Sequence, residues 1–220
     1  MRKPDEVFLC YTLVMDSTYL FIDGENFLFK IEDALIQEGF VKDKIDSIHI
    51  DIIKLLKLAI PNEPINQSFF YAGRLREYQE YAETIKKSKE LILKQRILKT
   101  SLGKQGFTFV LAGNVRPQIV TFNGKSRITF KEKGVDVRIA VDLISLSCDK
   151  TIKKAIICSS DSDLQPAIAE ARKRGVEVVY LGFESSPNKG LMYTTNKTIL
   201  FRNSEIKQCV PMLSKYAHGV

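Results

Sequence analysis

This sequence predicts an α/β fold built around a mainly parallel central sheet. Two observations carry that reading. In the last third, Lys154–Cys158 (strand), Asp163–Arg174 (helix) and Val176–Leu181 (strand) follow one another with short loops, the pattern of parallel strands joined by a crossover helix. The 220 residues, 45% hydrophobic and 27% charged, suit one domain with a substantial core and exclude a disordered chain.

The elements follow in order. Thr18–Ile22 is a short apolar run ending at Asp23-Gly24, read as a buried strand and a turn. Glu25–Glu38 places Phe27, Leu28, Ile31 and Leu35 at helical spacing, with Gly39 as the stop. Asp46–Ala59 repeats the pattern until Pro61 ends it, and Ile65–Tyr71 is a second strand. Glu77 to about Leu102 reads as a long helix with the stripe Tyr78, Tyr81, Ile85, Ile92 and i,i+4 pairs Glu83–Lys87 and Glu90–Lys94. Phe107–Leu111 is a third strand. Val120–Phe130 alternates about Asn123-Gly124, a hairpin signal, and the hairpin unit is taken as about 116–131. Val135–Ser147 is helical, and Thr198–Phe201 is read as a last strand. The expected domain is 17–203, with 1–16 an N-terminal extension and 204–220 a weakly ordered tail. There is no internal repeat.

Net charge is +7, but it is unevenly placed. Between Gly73 and Gly134, 14 Lys and Arg face 5 acids, all Glu, which makes that stretch +9. The remainder holds 19 bases against 21 acids, a balance of −2. A basic middle suggests a polyanionic partner, although Lys-rich helices also serve simply as soluble faces. No apolar run approaches the ~18 residues of a membrane span. The first residues carry Asp5 and Glu6 and no small-residue cleavage site, so no signal peptide is read. The cysteines Cys10, Cys148, Cys158 and Cys209 are scattered, which points to free thiols in a reducing, cytoplasmic setting.

In parallel α/β sheets, ligands bind at the carboxyl ends of the strands. Asp23 follows the first strand, Asp161 and Asp163 follow the strand ending at Cys158, and Asp136 opens the helix before it. Each alone reads as a helix cap. Together they put four carboxylates on one edge, where mutual repulsion calls for a hard divalent cation. At ~100° per residue, Asp136 shares its azimuth with Ala140 and Leu143, while Asp142 falls at ~240°, on the rim. Asp142 is therefore the weaker candidate, and a salt bridge to Arg138 is its simpler role. His49 and His218 are far apart and match no ligand spacing, so softer metals do not fit. No G-x-S-x-G, Walker A or G-x-G-x-x-G run is present.

The segments FIDGEN, KGVDVRIAVDLISL and KKAIICSSDSDLQPAIAEARKRGVEVVYLGF resemble the NYN domain in its LabA-like branch, across Asp23 to about Phe183. That resemblance implies a PIN-like, Rossmann-like three-layer α/β/α fold, to which the basic hairpin would be an insertion. It further implies a Mg²⁺- or Mn²⁺-dependent ribonuclease. Asp23 of D-G-x-N, Asp136 of K-G-V-D, and Asp161 with Asp163 of S-x-D-x-D match the metal-holding acids, and Asn26 a metal-water or phosphate contact. Two positions depart from the pattern: Ser160 stands where the family usually has Gly, and Leu164 where it often has Phe.

The reading combines the two lines. RNA, single-stranded by preference, lies along Arg74, Arg76, Arg116, Lys125, Arg127 and Lys133, with Ser159 and Ser160 beside the scissile phosphate, and a metal-activated water hydrolyses the phosphodiester. Tyr71 and Phe130 are candidate base-stacking aromatics, with core packing their simpler role. The alternatives are an RNA-binding regulator with weak or no activity, and a metal-dependent phosphatase or small-molecule hydrolase. A homodimer is open.

Overall fold

The computed structural model describes residues 17–79, 82–122 and 125–211, without the side chains of 122–127. The chain begins with β1 (Thr18–Asp23), α1 (Gly24–Gln37), α2 (Ile52–Ala59), β2 (Gln67–Gly73), α3 (Ala82–Lys104) and β3 (Thr108–Ala112). A two-stranded antiparallel ribbon follows, β4 (Asn114–Phe122) with β5 (Lys125–Lys133), and then α4 (Val135–Cys148) and β6 (Lys154–Cys158). The last elements are α5 (Gln165–Lys173), β7 (Glu177–Phe183), α6 (Lys189–Thr194), β8 (Lys197–Phe201) and α7 (Asn203–Cys209).

Six strands form one sheet in the order β3-β2-β1-β6-β7-β8, and every pairing among them is parallel. With the ribbon set aside, this is the doubly wound order 3-2-1-4-5-6, which reverses direction between β1 and β6. Sheet alternation explains the layers. On β1, Leu20 and Ile22 join the core under α1, α2, α3 and α7, while Tyr19 and Phe21 join the core under α4, α5 and α6. Strands β6 and β7 divide in the same way, Ile156 and Val179 to one side, Ile157 and Tyr180 to the other. Both faces are covered, so the central strands read as continuous apolar runs. The expected three-layer α/β/α fold is what forms.

Several boundaries differ from the expectation. The Asp46–Ala59 helix is broken: a 3₁₀ turn at Ser47–His49 is capped by Asp46, and α2 starts anew under Asp51, which accepts from the Lys54 amide at 2.8 Å. His49 stands on that turn, bonded to Asp46. Glu77–Gln79 is not helical, and α3 buries Thr84, Ser88, Leu98 and Leu102 rather than the anticipated stripe. Of that stripe, Tyr81 lies outside the described residues. The supposed tail contains α7, whose Ile206 and Cys209 are buried. Residues 1–16 and 212–220, and with them Cys10 and His218, lie outside the described residues, as does the Asn123-Gly124 turn.

The ribbon is longer than the sequence suggested, pairing from Asn114↔Lys133 to Phe122↔Lys125. It interrupts the crossover from β3 to α4 and is fastened at its root. Val115 donates its amide to Arg74 O at 3.1 Å, and the Tyr78 hydroxyl donates to Val115 O at 2.6 Å. Lys87, expected to pair with Glu83, donates to Ile128 O. Gly113 (φ +59°) lies against the Lys133 carbonyl oxygen, which a Cβ at this position would strike. Gly113→Ala should therefore destabilise the fold by about 1–3 kcal/mol, read as a lowered urea midpoint. A wild-type midpoint would mean that the ribbon root yields freely.

Candidate metal centre

The reversal between β1 and β6 opens a crevice at the carboxyl edge of the sheet. Three helix N-termini approach it. Asp23 caps α1, Asp136 lies in the first turn of α4, and Asp161 caps the 3₁₀ turn Ser162–Leu164 that leads into α5. Their positive ends lower the cost of holding several carboxylates close together.

Asp136, Asp161 and Asp163 each offer a carboxylate oxygen, and these oxygens lie within 4.8 Å of one another. Oxygens sharing one ion can be no farther apart than twice the metal–oxygen distance, roughly 4.2 Å for Mg²⁺ and ~4.6–5.2 Å for Ca²⁺. The group is thus close to the span of a single hard cation. Its donors are all carboxylates, and none is ion-paired with a described residue. A hard divalent ion fits such a set.

Asp23 stands outside that trio but lines the same cleft of about 330 Å³, together with Asp136 and Asp161. It is 3% exposed, and its carboxylate is heavily engaged. Oδ1 accepts from the Asn26 amide at 3.3 Å, and Oδ2 accepts from Asn26 Nδ2 at 2.6 Å and from Ser159 Oγ at 3.0 Å. Ser159 Oγ in turn accepts from the Asp161 amide at 3.1 Å, and Asp161 Oδ1 accepts from the Asp163 amide at 2.9 Å. One chain of hydrogen bonds runs from the end of β1 to the loop after β6. Asp23 and Asp161 are helix caps as well as cleft residues, so the structural and functional readings coexist.

Asn26 bridges the two loops, since Ser160 Oγ donates to Asn26 Oδ1 at 2.5 Å. A glycine at 160 would lack this bond. Asn188, which no motif marked, holds the same loop by donating Nδ2 to Ser160 O at 2.8 Å. Leu164 is buried in the core beneath α5, so an apolar residue is kept there.

Asp142 takes its simpler role: Arg138 Nε donates to it at 2.8 Å, and the Tyr71 hydroxyl at 3.0 Å. Tyr71 is fully buried, stacked on Phe21, and offers no surface to a base. Phe130 is half-buried, its ring 6.0 Å from that of Tyr78. Lys133 is exposed at the cleft, with Lys131 beside it. Arg74, Arg76 and Arg116 are exposed but do not line the cleft. The backbones of Lys125 and Arg127 lie at the far end of the ribbon, paired with Phe122 and Val120.

The sequence reading missed two acids. Glu25 lies at the mouth of the cleft, and Glu132 reaches it from β5, accepting the Gly73 amide at 2.6 Å. Glu25 follows Gly24 in the first motif and could have been suspected. Glu132 sits in a Lys-rich stretch, where nothing in the pattern singles it out. Burial raises the carboxyl of Asp23, with Asp161 adding repulsion, and partial burial with Asp23 raises Glu25. Burial also pushes Glu132 up to about 8, helped by Glu25 and Asp23 and opposed by the Gly73 amide.

The chain matches the family model of the NYN domain over residues 17–201. It belongs to the NYN domain family. NYN domains are nuclease-like and PIN-like, which accords with a nucleic-acid substrate. The search of curated proteins finds no match. Among solved structures, the chain is similar to a protein of unknown function from Vibrio parahaemolyticus, with a TM-score of 0.54 and 16% identity. The match covers 90% of this chain and 96% of that one, a likeness of fold. No helix among the described residues of this NYN protein is long and apolar enough to cross a membrane.

Glu132 carries a pH prediction. Its folded pKa lies above its unfolded value, so the native state binds more protons between about pH 4.5 and 8, and stability falls as pH rises through that window. Glu132→Gln should remove part of that fall, raising Tm relative to wild type at pH 8 but not at pH 5. Parallel Tm-against-pH curves for the two proteins would show that Glu132 is not held protonated.

Proposed function

We propose that this chain is a metal-dependent ribonuclease of the LabA-like kind that cleaves single-stranded RNA in the cytoplasm. The observation that supports this best is the gathering of Asp136, Asp161 and Asp163 at the switch point of the sheet. In this reading the three carboxylates hold Mg²⁺ or Mn²⁺, and Asp23 joins them with the lone pairs left over from its hydrogen bonds. When bound, such a cation supplies Lewis acidity: it acidifies water and neutralises charge on a phosphoryl group.

The chain's own groups do the rest. The Asp23–Ser159–Asp161 hydrogen bonds keep the loop after β6 in place, so the carboxylates are positioned before substrate arrives. Asn26, whose Oδ1 is held by the Ser160 hydroxyl and whose Nδ2 gives one hydrogen to Asp23, keeps its second amide hydrogen for the phosphate. Lys131 and Lys133 at the mouth attract the backbone to an otherwise anionic cleft. Arg74, Arg76, Arg116, Lys125 and Arg127 extend that attraction along the ribbon and its root. A phosphatase acting on small molecules would have no use for this track. The scattered cysteines, with Cys158 and Cys209 buried and free, accord with a reducing compartment.

The test is cleavage of labelled single-stranded RNA in Mg²⁺, with EDTA as control. Asp136→Asn and Asp161→Asn should each cut activity by more than the ~10–100-fold typical of losing an outer-shell partner, with Tm maintained. Intact RNA with every protein, wild type included, would point to a binding role. Equal cleavage by all would mark a contaminant.

Salt dependence tests the track. The double reversal Lys125→Glu and Arg127→Glu should weaken RNA binding and reduce the log–log salt slope by roughly 1–1.5, the share of two phosphate contacts on a single strand. An unchanged slope would remove the ribbon from the interface, and binding indifferent to salt would favour a small-molecule substrate.

A further inference from the structure

Beside the acidic cleft lies a larger groove of about 620 Å³, which the reading above does not use. It runs between α1, the segment 42–48, α3 and the root of the ribbon. Its lining is mostly apolar, with Leu28, Leu75, Leu91, Leu98 and Phe130 prominent. Glu25 and Glu132 line both this groove and the acidic cleft, so the two hollows share a wall.

The lining also carries Glu32, Asp43, Asp46 and Lys42 on the side of the segment 42–48, and on the opposite side two polar side chains are held against β2. Gln95 Nε2 donates to Gly73 O at 2.8 Å, while Glu132 Oε2 accepts the Gly73 amide at 2.6 Å. Both side chains are thereby pinned to one residue of β2. Among the described residues, each bonds through only one of its polar atoms. A volume in the ~300–1,000 Å³ range, an apolar lining and a few fixed polar groups are the features of a small-molecule pocket. Lys94 on the wall adds a cation suited to a phosphate.

We propose that this groove receives one unstacked nucleobase of a single-stranded nucleic acid whose phosphate backbone lies in the adjoining acidic cleft. The proposal rests on the ribonuclease reading for the position of the backbone. A base has two apolar faces for the leucines and Phe130, and a hydrogen-bonding edge for Gln95 and Glu132. An acyl chain or an apolar peptide would leave those two polar groups unmatched, and would bring no phosphate to the neighbouring cleft. A free mononucleotide shares the base chemistry, and the experiment separates it from a strand.

The test is titration of the isotope-labelled full chain, in Mg²⁺, with an uncleavable 2′-O-methyl RNA tetramer, followed by NMR. The same tetramer with one abasic position and a nucleoside 5′-monophosphate serve as comparisons. The intact tetramer should shift the Gln95 side-chain amide and the Leu75 and Leu91 backbone amides, together with Asn26 and Lys133 in the cleft. The abasic tetramer should bind about tenfold more weakly, as expected for one lost base, and leave the groove signals in place. Leu91→Trp, which fills the groove, should cost about tenfold in affinity while Mn²⁺ still broadens signals near Asp161. Gln95→Leu, a milder change, should reduce discrimination between bases.

Groove signals that stay still with the intact tetramer, or that shift equally with the abasic one, overturn the proposal. So does a mononucleotide that binds as tightly as the strand. Shifts confined to Asn26 and Lys133 would overturn it while leaving the backbone reading standing. Shifts confined to the groove would sink the backbone reading and keep the base site.

Discussion

The Asp23 carboxylate is the point on which the site's architecture turns. It is buried at the end of the first strand, beside the place where the sheet reverses direction. A buried carboxylate without partners is costly, and this one is satisfied from two sides: by Asn26 in α1 and by Ser159 after β6. Those bonds join segments 136 residues apart in sequence. Through Ser159 they position Asp161, and through Asn26 they reach Ser160, whose carbonyl is held by Asn188 from the far side. The orientation of Asp161 and Asp163 therefore depends on a hydrogen-bond network rooted in β1, while Asp136 is brought to them by the first turn of α4.

Around that network, carboxylates accumulate without paired bases among the described residues. Asp23, Glu25, Glu132, Asp136 and Asp161 all line one cleft. The helix N-termini of α1, α4 and α5 offset part of the repulsion, and burial together with the neighbouring acids raises the Glu132 carboxyl toward its neutral form. What remains is a demand for positive charge. The ribbon meets part of it, because its root brings Lys131 and Lys133 to the cleft mouth beside Glu132. Cations and acids that are separate in sequence thus meet at one edge.

Much of this was legible beforehand for identifiable reasons. Central strands buried on both faces show as short apolar runs, so β1 and β6 were found nearly to the residue. The ribbon was marked by Asn123-Gly124 between alternating positions. The acids stood out because each directly follows a strand or opens a helix. The misreadings have equally local causes. In α3, long stretches of Lys and Glu blur the apolar period, and the packed face uses Thr84 and Ser88, small polar residues that a hydrophobic stripe does not include. Around the start of α2, Asp46 caps a 3₁₀ turn and Asp51 caps α2 itself, in what periodicity alone presents as one helix. Helix α7 is too short to announce itself and is stabilised by burying Ile206 and Cys209 against α1 and α2.

By itself, then, the sequence determined the strand-helix alternation, the excess of positive charge in the middle third and the acids that end the strands. These are properties of short windows, set by side-chain period and residue type. Only the tertiary structure decided which acids share a centre. It grouped Asp136, Asp161 and Asp163, kept Asp23 beside them, bonded through Ser159 to the loop of Asp161, and sent Asp142 to Arg138 and Tyr71. It also brought Glu132 from a lysine-rich strand to the cleft and opened the groove next to it. Such placements follow from strand order and from the way the ribbon is seated on β2. Both arise from contacts between residues distant in the chain, so no local window contains them.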